Sequence, residues 1–209
     1  MANYEHKLGV GLVPSSRSVD EVYALVTRIG EAAQLGFATA QGVSIPHLTL
    51  FQGKYRSEEE VVERVRTIDF SFFPREARVL DISVWAKKIV FLDLERTEGF
   101  RRAHEFVFHA LFPLCEGKSA DPQKFEGITA GQEKSFEETG YPFSLAEYLP
   151  HITLAHLGAV PQDALREESR LRTAIKDFLP RAVAFEKLVV YRVGPLGSCT
   201  DIVWERKLS

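Results

Sequence analysis

Pro46-His47-Leu48-Thr49-Leu50 returns 104 positions later as Pro150-His151-Ile152-Thr153-Leu154. A single His-x-Thr is uninformative. A second copy, with the same proline before it and the same leucine after it, points to a duplicated structural unit. Threonine, leucine and isoleucine suit strands, and side chains alternate between the two faces of a strand. His47 and Thr49 therefore share one face, with Leu48 and Leu50 on the other. His151 and Thr153 share a face in the same way, opposite Ile152 and Leu154. The apolar residues anchor each strand in a core. Two such strands related by a pseudo-twofold axis present two imidazoles and two hydroxyls to a common cleft.

Working outward, the surrounding sequence repeats as well. Residues 7–13 (KLGVGLV) read as a strand. A helix follows, with Ser18 and Glu21 as a capping box, Gly36 as its stop, and a stripe of Val22, Leu25, Val26, Ile29, Ala32 and Ala33. The first His-Thr strand comes next, then a helix opened by Ser57 and Glu60 with Val61, Val62, Val65 and Ile68 inward. Strand-like runs at 77–85 and 89–94 flank a basic turn, Ala86-Lys87-Lys88. The run at 89–94 doubles as the opening strand of the second half. That half continues with a helix over 97–112, the second His-Thr strand, a helix over about 161–177, and strands at 183–191 and 200–206.

One segment breaks the repeat. From Val13 to His47 there are 34 positions, but from Leu94 to His151 there are 57. Most of the surplus is an irregular insertion at about 115–148. Long loops of this kind are lids or simply mobile. Phe136, Tyr141, Phe143 and Tyr148 are its candidates to stack on a base, although packing the loop onto the body is the commoner use of such residues.

The paired motifs suit hydrolysis of a phosphodiester. A neutral imidazole takes a proton from water while an imidazolium gives one to the leaving alkoxide, and an ordinary histidine populates both states near neutrality. His151 is assigned as base and His47 as acid, with the reverse assignment nearly equivalent by symmetry. Thr49 and Thr153 donate to the non-bridging phosphoryl oxygens. No metal or other cofactor enters this scheme.

On PHLTLF and PHITLA, and on the repeat that runs through nearly the whole chain, the sequence resembles the two-histidine phosphoesterase superfamily. The resemblance implies an α+β fold, bilobal, in which antiparallel sheets line a central cleft with helices outside, so that residues 1–209 form a single bilobal domain. It also implies cyclic phosphodiesterase or 2′–5′ RNA phosphodiesterase chemistry. The expected activity is metal-independent hydrolysis of a 2′,3′-cyclic phosphate or 2′–5′ linkage in a nucleotide or short RNA. The alternatives are a non-catalytic module that binds a nucleotide or RNA end, and a 2′–5′ RNA ligase.

Composition narrows the partners. A net charge of −3 argues against binding long nucleic acid through its backbone. No apolar run reads as a signal peptide or a membrane span, and two cysteines, Cys115 and Cys199, read as reduced thiols of a cytoplasmic protein. Phe51 shares the face of His47 and Thr49 if the strand continues, which makes it a candidate to stack on a base at the cleft rim, with a packed core phenylalanine the equal alternative among fifteen in the chain. Arg192 is a candidate phosphate contact, as are Lys7 and Lys88, although a solvated surface charge is the commoner role. His156 falls on the Ile152 and Leu154 face by the same alternation. His104 and His109 lie five apart, which is not the spacing of a two-histidine metal motif. Gly194-Pro195-Leu196-Gly197 reads as a hairpin loop, not a phosphate loop.

Overall fold

A computed structural model describes residues 6–116, 126–161 and 163–208. The opening strand β1 (His6–Pro14) leads into α1 (Ser16–Ala32), capped by Ser15, whose hydroxyl accepts from the Ser18 amide. The cap thus lies three residues before the expected one. Val22, Leu25, Val26 and Ile29 bury the helix's apolar stripe. Instead of running on to Gly36, the helix stops at Ala32, and Leu35–Ala38 form a short strand, β2. The first motif opens β3 (Leu48–Tyr55), followed by α2 (Glu58–Arg66), β4 (Glu76–Trp85) and β5 (Ile89–Leu94). Ser57 caps α2 as expected. Ala86 and Lys87 both adopt positive φ (49° and 59°), the two-residue turn whose twist matches a hairpin.

The second half contains α3 (Glu98–Leu111), α4 (Ala130–Thr139), β6 (His151–Leu157), α5 (Ala164–Ile175), β7 (Ala182–Val193) and β8 (Cys199–Lys207). The helix α4 corrects the expectation of an irregular insertion. Thr129 and Gln132 form a reciprocal capping box at its start, and Gly140 ends it in the left-handed region at φ 78°. Part of the insertion, 117–125, lies outside the described residues.

Every strand pairing among the described residues is antiparallel. One lobe holds β3, β1, β7 and β8 in that order; the other holds β2, β6, β5 and β4. The lobes join at two places, a single pair between β3 and β6 and a short ladder between β4 and β7. The expected bilobal α+β architecture is therefore present. Leu48, Leu50, Ile152 and Leu154 lie buried in the core with the inward stripes of α1 and α3. No helix among the described residues is long and apolar enough to cross a membrane.

Candidate active site

The one residue pair that joins β3 to β6 is Leu48 with Ile152, the central residues of the two motifs. In an antiparallel pair this register sets His47 across from Thr153 and Thr49 across from His151. The pseudo-twofold axis thus passes between the two motifs, and it brings all four expected site residues together on one face. Each histidine is fixed in the same way. Nδ1 of His47 lies 2.9 Å from the Ile45 carbonyl, and Nδ1 of His151 lies 2.7 Å from that of Leu149. A carbonyl can only accept, so each Nδ1 carries the hydrogen and each Nε2 of the neutral ring presents a lone pair. The prolines of the motifs contribute here. They force Ile45 and Leu149 into extended backbone, and these are the residues whose carbonyls hold the rings.

Both motif strands bulge at their leucine. On β1, Gly11 pairs with Thr49 and Val10 with Phe51, which leaves Leu50 as the extra residue. On β5, Phe91 pairs with Thr153 and Val90 with Ala155, which leaves Leu154. An extra residue reverses the alternation beyond it, and two expectations fall for that reason. Phe51 turns to the core, fully buried against Phe108 and Tyr141, and does not reach the cleft rim. His156 pairs with Ile89, two residues from Phe91, and so joins the His151 face instead of the Ile152 face. It is buried edge-on against Phe37.

Arg192 is also displaced from the expected role. Its guanidinium grips Glu58 through two bonds of 2.9 Å and pairs with Asp201, at the exposed outer surface between α2 and β8. The insertion's aromatics do not stack outward either. Phe136, Tyr141, Phe143 and Tyr148 are all buried, and Tyr141 and Phe143 help wall the site. Phe143 packs edge-on to His151 at 4.8 Å, and Phe91 stacks on the same imidazole at 3.9 Å. Trp85 lies against both phenyl rings and donates its indole N–H to Gln132 of the α4 capping box.

On the other side, Tyr191 sits edge-on to His47 at 4.6 Å, and its hydroxyl lies 3.0 Å from Thr49 Oγ1. Tyr141 hydrogen-bonds the same threonine. Tyr191 escaped the sequence reading as a site residue, although a signal for it was present in Gly9-Val10-Gly11. Alternate glycines in a strand mark a close approach. Here a Cβ on Gly9 would lie 2.3 Å from Tyr191 Cζ, and one on Gly11 would lie 2.6 Å from the Leu48 carbonyl oxygen.

A third imidazole ties the insertion to the site. His104 of α3 donates from Nδ1 to the carbonyl of the bulged Leu50 at 2.5 Å and accepts the Leu145 amide at Nε2, at 2.7 Å. It stacks on Tyr148 at 4.1 Å. Burial lowers His47, His104 and His151 to about 4 each, with the neighbouring His47 a lesser contributor at His151. Burial acts the other way on Asp93, across the ladder from His151, and raises it to about 6. Among the described residues no group of three or more His, Cys, Asp or Glu is placed to hold a metal ion.

No family model and no curated protein sequence matches the chain. Solved structures do resemble it. TT0787 of Thermus thermophilus aligns with a TM-score of 0.54 at 17% identity, covering 97% of each chain. E. coli LigT complexed with ATP gives 0.54 at 13% identity over 98% of each chain. A crystal structure described as a phosphoesterase gives 0.50 at 13% identity, over 98% of this chain and 99% of its own. The chain shares the fold of these three structures. Within this fold, the paired motifs occupy the junction of the two lobes.

Proposed function

We propose that the protein is a phosphodiesterase that hydrolyses a 2′,3′-cyclic phosphate or 2′–5′ linkage of a nucleotide or short RNA by two-histidine acid–base catalysis. The observation that carries this reading is the pair of Nδ1-anchored imidazoles set in register across the lobe junction, each with Nε2 available and a threonine hydroxyl beside it. The solved likeness of LigT with phosphate and with ATP supports a phosphate-bearing ligand.

With both histidines near 4 in the free protein, neither carries a proton to give at neutral pH. The substrate anion supplies what is missing. Opposite charges 4 Å apart at an effective dielectric of 20 attract by about 4 kcal/mol. One pKa unit corresponds to about 1.4 kcal/mol, so a bound phosphodiester raises one imidazole back toward the neutral range. That imidazole becomes the acid. His151, enclosed by its phenyl walls, stays neutral as the base, which leaves His47 as the acid. Thr49 and Thr153 steady the phosphoryl oxygens.

The test is hydrolysis of a panel of 2′,3′-cyclic nucleotides and 2′–5′ oligoadenylates in the presence of chelator, with products identified by phosphorus NMR. Turnover should persist, with kcat holding to higher pH than kcat/KM, which falls roughly tenfold per unit above pH 5. Tight binding without product would favour a recognition module, and net joining of cleaved RNA ends a ligase; either would overturn hydrolysis.

A further inference from the structure

The two ends of the cleft differ in charge. Moving outward from Thr49 on the same face, the register pairs are Gly11 with Thr49, Gly9 with Gln52, and Lys7 with Lys54. Burial follows this assignment: Phe51, Gly53 and Tyr55 are buried, Gln52 and Lys54 partly open, and Lys7 exposed. Like charges directly opposite on an antiparallel pair repel. Among the described residues, neither lysine has a carboxylate partner, whereas Arg56 and Arg192 nearby do. The second half is built differently. Its counterpart of Lys7, in the offset that relates Gly11 to Phe91, is Lys87, which pairs with Glu126 at 3.8 Å. Its counterpart of Lys54, in the offset that relates the two motifs, is Gly158. One end of the cleft thus carries two lysines held together without an anion, and the other carries a neutralised one.

Four strand steps separate Gly11 from Lys7, about 13 Å at 3.3 Å per residue. A flexible lysine stem shortens that span by several ångströms, but a cyclic mononucleotide held at the histidines does not bridge it. Phosphates along a nucleic-acid strand, spaced about 3.4 Å apart in axial rise when stacked, do bridge it. We propose that Lys7 and Lys54 form an anion subsite for a second phosphate, so that the substrate is a short oligonucleotide rather than a mononucleotide. The proposal rests on the histidine pair being a phosphodiesterase site. The overall negative charge of the chain keeps the preference local, suited to two or three nucleotides.

Calorimetric binding of a trinucleotide 3′-phosphate and of the matching nucleoside 3′-monophosphate tests it. The trinucleotide should bind about tenfold more tightly, and Lys7→Ala with Lys54→Ala should bring the two affinities to within about threefold. In the same double variant the slope of log Kd against log salt for the trinucleotide should shrink by about 0.7, the value for one single-strand phosphate contact. Lys7→Arg with Lys54→Arg should retain the preference, as should the distant control Lys176→Ala. An equal affinity for both ligands in the native protein overturns the proposal, as does a preference that survives the double alanine change. A nucleoside carrying a 5′-triphosphate and a 3′-phosphate that matches the trinucleotide overturns the oligonucleotide assignment. Binding and turnover separate the two readings. Lysine-dependent preference without turnover of any diester supports the subsite and overturns hydrolysis, whereas turnover without preference overturns the subsite alone.

Discussion

Gly11 and Phe91 occupy equivalent positions, each across the ladder from a motif threonine, on strands that pair with the motif strands in the same bulged register. In the first half the position is empty of side chain, and the ring of Tyr191 from the next strand fills the space, bringing a hydroxyl to Thr49. In the second half Phe91 fills the space itself and stacks on His151, with Trp85 behind it. Trp85 is the counterpart of Tyr191, since Gly9 faces Tyr191 as Ile89 faces Trp85. One imidazole and its threonine therefore sit beside hydroxyls, and the other imidazole sits in a phenyl box. A symmetric backbone thus holds two chemically distinct environments, which suits a reaction that needs one acid and one base.

The most severe way to break the comparison is to remove either imidazole. His47→Ala and His151→Ala should each lower kcat by about 10²- to 10⁴-fold, measured on whichever diester the native protein turns over. Full activity in either variant means the halves do not act together.

Next in size are changes to the filling. Phe91→Ala should cost about 3 kcal/mol in urea unfolding, and in NMR titration it should raise His151 from about 4 toward the ordinary histidine value, because the burial that lowers it is relieved. In the first half the opposite change does the damage. Gly9→Ala places a methyl group into the Tyr191 ring and should cost about 1–3 kcal/mol. A Gly9→Ala protein as stable as the native one would mean that Tyr191 does not need this space. Tyr191→Phe is milder: losing one hydrogen bond to Thr49 should cost about 1 kcal/mol and slow turnover several-fold, with KM little changed. A rise in KM at constant kcat would instead assign the Thr49 contact to binding.

A last effect is thermal. His47, His104 and His151 lie below the unfolded value of about 6.5. They leave stability untouched above that pH and reduce it as pH falls from 6.5 toward 4, where the unfolded chain takes up protons the folded chain resists. Asp93, raised to about 6, acts in the opposite direction, adding stability as pH falls through 6. Three groups against one leave a net loss, seen as a Tm that drops by several degrees between pH 6.5 and 5. A Tm that rises over this interval contradicts the burial of the imidazoles.

Several features were legible because they depend on neighbours in the chain. The spacing of His47 to Thr49 and of His151 to Thr153 follows from strand geometry, and the prolines that hold the rings are local constraints. The strand order within each repeat was equally readable. The misreadings arose where another strand intervenes. Phe51 and His156 were each placed by simple alternation, but the bulges at Leu50 and Leu154 appear only when β1 and β5 impose their register. Arg192 was read as a free cation because Glu58, far off in sequence, gives no sign of its proximity. For the insertion's aromatics the sequence leaves both stacking on a base and packing onto the body open, and His104 decides between them by clamping the segment inward through Leu145.

The sequence by itself determined the chemical inventory, two imidazoles and two hydroxyls on duplicated strands, because residue identity and side-chain alternation are set by covalent structure. Only the tertiary structure decided how the halves differ: which face each residue beyond the bulge occupies, which imidazole lies among phenyl rings, and which end of the cleft keeps two lysines without a carboxylate partner among the described residues. Those outcomes depend on pairing register and burial, and both are set by contacts between residues distant in the chain.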